Sequence, residues 1–382
     1  MKDRKTLFII LLVQFIEVTA YAMLLPLIPF YAQSLGADPI TIGWIFASYS
    51  TFQLLSSPFL GKLSDIYGRR SILLIGQLGT FLGFLLLGFS HSLILIFISR
   101  FIDGITGGNQ TVSYAIASDI STKEKRSQTF GYLGATLGIG LLVGPAIGAF
   151  LYQFGFSFAA FSTAVVMLIS TIITALFLPE TRVVSHKSTN LMPNFQSFLK
   201  QTTVRSILIQ IFSITLIMNT FILGFPIFAQ KQLSYSVQYV GYALTFMGLI
   251  GILTQTLLLG KIVSTFGDKK TSQIGFVIIT IGFLLLSFTH NTTVFLISIL
   301  AIIPGIVLVS STISSLLTQS VSEHKQGEVL GIHQSVNSVC QIIGPLLAGV
   351  ILAKFASPLF GLVVALIAVL GIIISLSRRR ST

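Results

Sequence analysis

The chain has 382 residues, of which 53% are hydrophobic and 9% charged, against about 25% charged in an ordinary soluble domain. That composition excludes a soluble fold, whose surface would carry large apolar patches. The net charge of +12 is divided among short basic clusters between apolar runs, the pattern of cytoplasmic loops and not of a nucleic-acid surface.

Twelve apolar spans are predicted, at about 7–31, 40–60, 71–90, 93–117, 129–151, 157–178, 205–229, 238–259, 272–289, 293–318, 329–352 and 358–376. Runs of about 20 apolar residues suffice to cross a bilayer as helices, and lipid obliges the backbone to bond within itself. Runs such as FVIITIGFLLLSF lack the alternation of a barrel strand. The fold class is therefore an all-α polytopic membrane protein with 12 transmembrane helices. With the N-terminus in the cytoplasm, 20 of the 23 Lys and Arg lie on the inside; only Lys231 and Lys354 fall outside, and Arg100 lies within a span. That asymmetry predicts both termini in the cytoplasm.

The first span follows MKDRK, which reads at first as a signal peptide. The apolar run continues past Ala32 without a cleavage site, and Glu17 interrupts it, so a retained helix is expected. An ionisable group at mid-membrane costs roughly 2.5–3.5 kcal/mol and is a functional candidate by default. No basic residue lies near Glu17 in sequence, and a lone buried carboxyl is able to gain and lose a proton near neutral pH. Between the second and third spans, GKLSDIYGRR (Gly61–Arg70) gathers charge between charge-free flanks. Its Asp65 is placed near the start of the third helix, where negative charge is favoured, and within pairing distance of Arg69, four residues on. The fourth span carries Arg100 and Asp103, three apart on one helix face, and Asp119 closes it.

In the fifth span, Gly138, Gly140, Gly144, Pro145 and Gly148 allow close helix approach and a proline kink. The polar stretch Pro179–Gln201 divides the spans six and six. The expected organisation is a bundle over 1–178, a cytoplasmic linker over 179–204, and a second bundle over 205–382 ending in a short basic tail. The halves repeat: GFLLLGFSH at Gly83 returns as GFLLLSFTH at Gly282, and Gly61, Lys62 and Gly68 return as Gly260, Lys261 and Gly267. Six spans per copy give both the same orientation, hence two six-helix bundles related by an axis along the membrane normal, an arrangement suited to a substrate path between halves. Ser264 stands where Asp65 stands in the first copy, so an Asp–Arg pair is expected in the first loop alone. Spans 7 to 12 hold no acid except Glu328 at an end.

Gly61, Leu63, Asp65, Gly68, Arg69 and Arg70 match the loop motif of the major facilitator superfamily. GLLVGPAIGAF, Gly140–Phe150, resembles the fifth-helix motif of its drug–proton antiporters, and RFIDGITGG from Arg100 resembles their fourth-helix motif. Over its whole length the chain is similar to bacterial twelve-helix tetracycline and multidrug efflux pumps. The resemblance implies the major facilitator fold and a conformational latch in which Gly61, Asp65, Gly68, Arg69, Arg70 and Asp119 hold one transport state. It implies that Arg100 lies in the proton-coupling region; Glu17, where related pumps commonly carry an acid, is a candidate to carry the coupled proton or to attract a cationic substrate, and Asp103, which departs from the motif's usual polar or small residue, is the third proton-coupling candidate. It implies a helix-5 bend at Gly140, Gly144, Pro145 and Gly148 that opens or seals the cavity. The acids that tetracycline pumps carry in helices 3 and 9 are absent, which turns the expectation from tetracycline alone toward broader drugs.

Gln14, Tyr21, Asn109, Gln110, Tyr114, Asn219, Phe225, His333 and Asn337 are candidates to line a substrate cavity of apolar and aromatic walls with few polar groups. The expected activity is proton-driven export of small amphipathic compounds from a bacterial-type cytoplasmic membrane. The alternatives are a carrier of a defined metabolite such as a neutral sugar, and a non-transporting membrane sensor. The expected partners are the lipid bilayer, the small amphipathic substrate and protons, with no nucleic acid, and the chain is expected to be a monomer. Enzyme chemistry is not expected. The five histidines share no metal-like spacing with carboxylates, no nucleotide-binding loop occurs, the single Cys340 lies in an apolar run, and no cofactor or metal is implied beyond the proton gradient.

Overall fold

The computed structural model describes residues 2–122, 125–181, 201–322 and 326–377. The described residues are almost wholly helical. In chain order the helices are α1 (Lys2–Leu24), α2 (Leu27–Ser34), α3 (Pro39–Tyr67), α4 (Arg69–Gly88), α5 (Leu93–Thr106), α6 (Asn109–Asp119), α7 (Arg126–Leu151) and α8 (Phe156–Phe177). They continue with α9 (Thr202–Leu233), α10 (Val237–Leu253), α11 (Leu259–Ser287), α12 (Thr292–Gln319), α13 (Gln326–Lys354) and α14 (Pro358–Ser377). Most of the linker expected over 179–204 lies outside the described residues.

Among the described residues, nine helical stretches are long and apolar enough to cross a membrane. One of them, Val237–Ser287, is 51 residues long and covers two spans, since 20 residues suffice for one. The Ser, Thr, Tyr and Gln residues of α3 and the break between α5 and α6 keep the second and fourth predicted spans out of that set. Counting them gives the twelve crossings read from the sequence.

The chain divides into two compact units, Met1–Lys187 with Tyr235–Gly248, and Ser188–Ser234 with Leu249–Thr382. In the first, α1 packs on α7 and α8, and α4 packs on α5 and α8. In the second, α9 packs on α13 and α14, and α11 packs on α12 and α14. The same neighbours thus recur at the same places in each copy, as a duplicated sequence requires. An apolar seam of Ile9, Ile10, Val13, Ile72, Leu73, Val112 and Ile116 joins α1, α4 and α6. In the second unit Phe221, Phe225, Phe228, Phe283, Phe295 and Phe360 are fully buried and meet ring to ring.

Three local features differ from the spans read in sequence. The fourth span is broken: α5 ends at Thr106 and α6 starts at Asn109, because Gly107 and Gly108 weaken the helix there. Gln53 Nε2 of α3 donates to the freed Gly107 carbonyl at 3.0 Å, and Ser56 Oγ to that of Gly104 at 3.0 Å. The two charged loops are hardly loops. Helix runs up to Tyr67 and resumes at Arg69, with only Gly68 between, at φ 101°. The copy is helical through the whole stretch except Gly267, at φ 72°. Both corners need a positive φ that glycine takes without strain. Last, Asp65 lies in the final turn of α3 and not at the start of the third span. A helix C-terminus disfavours a carboxylate, so its stabilisation comes from Arg69.

At the start of α3, Asp38 caps the helix, Thr41 N donating to its Oδ1 at 2.8 Å. The hydrogen bonds from Thr41 hold the Asp38 carboxyl below the usual range. A depressed carboxyl contributes stability above its unfolded value and loses it as pH falls through the folded one. Asp38→Ala is expected to cost about 1 kcal/mol, measured as a small fall in the melting temperature, with the difference from wild type vanishing in acid.

Candidate functional site

The first unit holds three clusters of polar side chains. At one end, Arg69 reaches across the Gly68 corner. Its Nη2 lies 2.7 Å from Asp65 Oδ1 and its Nε 2.9 Å from Asp119 Oδ2 at the end of α6. Its Nη1 donates to Ser64 Oγ at 2.7 Å. The Arg69 and Asp119 side chains are 14% and 16% exposed, whereas Asp65 is 60% exposed. The Arg69–Asp119 pair is therefore the stronger member, since screening weakens an exposed pair. Glu180, just past α8, completes the cluster. Its Oε1 accepts from Arg69 N at 2.8 Å and its Oε2 from Arg70 N at 3.2 Å. A carboxylate on the first free N–H groups of a helix is favoured by both hydrogen bonding and the dipole. The helix-start role expected of Asp65 thus belongs to Glu180. Arg70 extends to the Ala175 carbonyl of α8.

Deeper in the unit, Arg100 Nη1 donates to Asp103 Oδ2 at 3.0 Å, both side chains being 3% exposed. Ser99 Oγ accepts from Arg100 Nη2 at 3.1 Å, and the guanidinium lies 5.4 Å from the centre of the Phe84 ring. A small void of about 10 Å³ adjoins Arg100 and is lined also by Tyr21, Leu25, Phe46 and Tyr49. Tyr21 stacks on Tyr49 with ring centres 6.0 Å apart.

Glu17 lies one helical turn before Tyr21 on α1. It forms no ion pair among the described residues, and it is partly exposed. Gln77 Nε2 of α4 donates to Glu17 Oε1 at 2.6 Å, and also lies 3.0 Å from Thr174 Oγ1 and 3.3 Å from Ser170 Oγ of α8. The small residues of α7 press against the same helix. A Cβ at Gly140 would fall 2.8 Å from Val18 Cγ1, one at Gly144 2.8 Å from the Thr19 carbonyl, and one at Gly148 would overlap the Met23 carbonyl. Pro145 sits inside α7, which continues unbroken to Leu151. The glycine stripe therefore seats α7 on the helix that bears Glu17.

The other candidates are scattered. Gln14 is buried and donates to the Leu133 carbonyl of α7 at 3.2 Å. Asn109 opens α6 beside Gly76; Gln110 is exposed; Tyr114 meets Phe130 edge-on. In the second unit Asn219 bonds the Thr215 carbonyl of its own helix at 2.9 Å, and His333 and Asn337 are half-buried on α13. Phe225, expected at a cavity wall, is instead fully buried and stacks on Phe295, because its ring fills the seam between α9 and α12.

Three residues that the sequence reading did not single out make such contacts: Gln77 and Glu180 in the first unit, and Asp268 in the second. Gln77 is the only amide side chain in the charge-free run Ser71–Ser99, which is a usable signal. Asp268 follows Gly267 as Arg69 follows Gly68. Its Oδ2 accepts from Ser315 Oγ at 2.7 Å and from Gln319 Nε2 at 3.1 Å, both on α12. The second corner thus keeps a cross-helix tie with donor and acceptor exchanged, where the sequence suggested an Asp–Arg pair in the first loop alone.

Comparison with known proteins agrees with this architecture. The profile of the Major Facilitator Superfamily matches residues 10–345 and, in an overlapping match, 207–382. The class H tetracycline resistance protein of Pasteurella multocida is 31% identical over 356 residues, covering 90% of this chain and 88% of its own. Multidrug resistance protein 2 of Bacillus subtilis (strain 168) is 25% identical over 362 residues, covering 91% and 89%. The crystal structure of the human organic anion transporter MFSD10 (TETRAN) superposes over 98% of this chain and 99% of its own, with a TM-score of 0.73 at 20% identity, a likeness of fold. With twelve spans in two like six-helix sets and a family profile covering most of its length, the chain belongs to the Major Facilitator Superfamily.

Proposed function

We propose that the chain is a proton-coupled exporter of small amphipathic compounds that works by alternating access. The observation that carries this reading is Glu17: an acid within a membrane span, partly accessible, held by a neutral amide and paired with no cation among the described residues. Such a group can take up and release a proton without leaving an unpaired cation behind. The buried Arg100–Asp103 pair, one turn of α1 away through Tyr21, supplies a fixed charge pair beside the void. Relatives named for tetracycline and multidrug resistance point to lipophilic, aromatic or cationic drugs as the substrate class. We place the protein in a bacterial-type cytoplasmic membrane with both termini inside, since the basic residues cluster on that side. The same assay separates this reading from a neutral-sugar carrier and from a sensor.

That assay is efflux of a compound panel from cells, with and without a proton uncoupler. Export of several unrelated lipophilic cations that stops with the uncoupler is the expected result. Flux of a single sugar, or no flux with any compound, would refute the reading.

The Arg69 cluster is the latch of this cycle. A charge-assisted hydrogen bond contributes about 1.5–3 kcal/mol, so Asp119→Asn should lower the transport rate at least fivefold in correctly inserted protein. An unchanged rate would leave the cluster as an anchor only.

A further inference from the structure

Gln77 is bonded in an unusual way. Its side chain is fully buried. Three oxygens crowd its Nε2, those of Glu17, Thr174 and Ser170, while its Oε1 has no partner. An amide nitrogen has two protons, so it cannot serve all three, and a buried carbonyl left bare is costly. Rotating the amide by half a turn exchanges its ends. Oε1 would then face the same three oxygens and could accept from each hydroxyl, because Ser and Thr hydroxyls turn to donate or accept. Only Glu17 restricts the choice. Its carboxylate can only accept, and so requires the Nε2 end; its carboxylic acid can donate, and so favours the Oε1 end.

We propose that Gln77 is a positioning residue for the proton at Glu17, its amide turning over as Glu17 gains or loses that proton, with Ser170 and Thr174 supporting both orientations. This inference rests on the reading of Glu17 as the coupling group. Because the hydroxyls link α4 to α8, the turn of the amide also changes how α8 is held against α1 and α4. The cluster is electrically isolated in one direction only. No charged side chain occurs on α7 or α8 between Gln128 and Phe177, and Tyr114 of α6 is engaged with Phe130. On the other side Tyr49 lies within electrostatic reach of Glu17, and Arg100 and Asp103 within reach of Tyr21 and Tyr49. The Arg100–Asp103 charges oppose each other, and the Gln77 amide is the polar group in direct contact with Glu17.

The test uses full-length protein in lipid nanodiscs and needs no substrate. The infrared carbonyl band of a protonated carboxyl is followed as pH is stepped, and the part missing in Glu17→Gln is assigned to Glu17. Gln77→Met keeps the length of the side chain and removes its polarity. The carboxylate loses an N–H donor worth more to a charged partner than to a neutral one. The midpoint of the band should therefore move up by about one pH unit, a tenfold change in proton affinity. In wild-type protein the side-chain ¹⁵N resonance of Gln77, identified by its loss in Gln77→Met, should shift with the same midpoint as the band. A midpoint unmoved in Gln77→Met, or an amide resonance constant while the band changes, overturns the proposal. Should Gln77→Met fail to fold, the wild-type resonance, identified instead by its loss in Gln77→Leu, decides it. The export reading fails separately: a coupled amide and carboxyl without any gradient-driven flux would leave this inference standing and remove that one.

Discussion

Asp103→Asn is expected to destabilise the protein by roughly 3–5 kcal/mol, the cost of stranding a buried charge by removing its partner. The guanidinium of Arg100 cannot lose its proton, and both side chains are 3% exposed. Ser99, one hydroxyl, the Phe84 ring and a neutral amide are what would remain to it. A neutral amide at position 103 keeps the shape and a hydrogen bond but not the charge, so the loss measures the pairing itself. The measurement is thermal unfolding in detergent, read as a lowered melting temperature and a reduced yield of folded protein. Replacing both partners, as Arg100→Leu with Asp103→Leu, should recover most of that loss, since a pair of well-packed apolar residues is often no worse than a buried ion pair. The double variant then separates two roles. A stable double variant that does not transport would place the pair in the transport cycle; one that transports at the wild-type rate would make it a fastener between α5 and its neighbours.

Glu17→Gln is expected to abolish the response of export to the proton gradient while leaving substrate exchange intact. Glutamine preserves the size of the side chain and can still bond Gln77, so folding should be little affected. Each pH unit across the membrane is worth about 1.4 kcal/mol per proton. With one proton moved per substrate, a two-unit gradient can sustain about a hundredfold concentration ratio, and that ratio should fall to one in the variant. Proteoliposomes loaded with ethidium and given an imposed pH step supply the readout. A Glu17→Gln protein that still concentrates the dye along the gradient would remove Glu17 from coupling and turn attention to Asp103.

The degree to which these sites were readable in advance differs from residue to residue. Glu17, Arg100 and Asp103 were visible because a charge inside an apolar span is costly and so marks itself. The corner glycines were visible because Gly68 and Gly267 recur at one offset, and both adopt the positive φ that such a corner needs. Asp65 was given the wrong helix end, because a single corner residue separates α3 from α4 and boundaries drift by a few residues in any reading of pattern. The break at Gly107–Gly108 was missed because the apolar run continues through it; its stability comes from Gln53 and Ser56 of another helix. Phe225 was misplaced among cavity residues because aromatic richness does not say which face of a helix meets its neighbours.

The membrane class and the twelve spans followed from the sequence by itself, as did the duplication and the positions of the charges. All are local properties: hydropathy is summed along a run, repeats are read at a fixed offset, and an out-of-place charge is judged against its immediate flanks. Partnership was decided by the tertiary structure alone. Gln77 finds Glu17 60 residues away and Thr174 97 residues away, and Glu180 caps α4 across 111 residues. Those pairings depend on which helix faces turn toward one another, and that is settled by the packing of whole helices and by the need of each buried polar group for a partner.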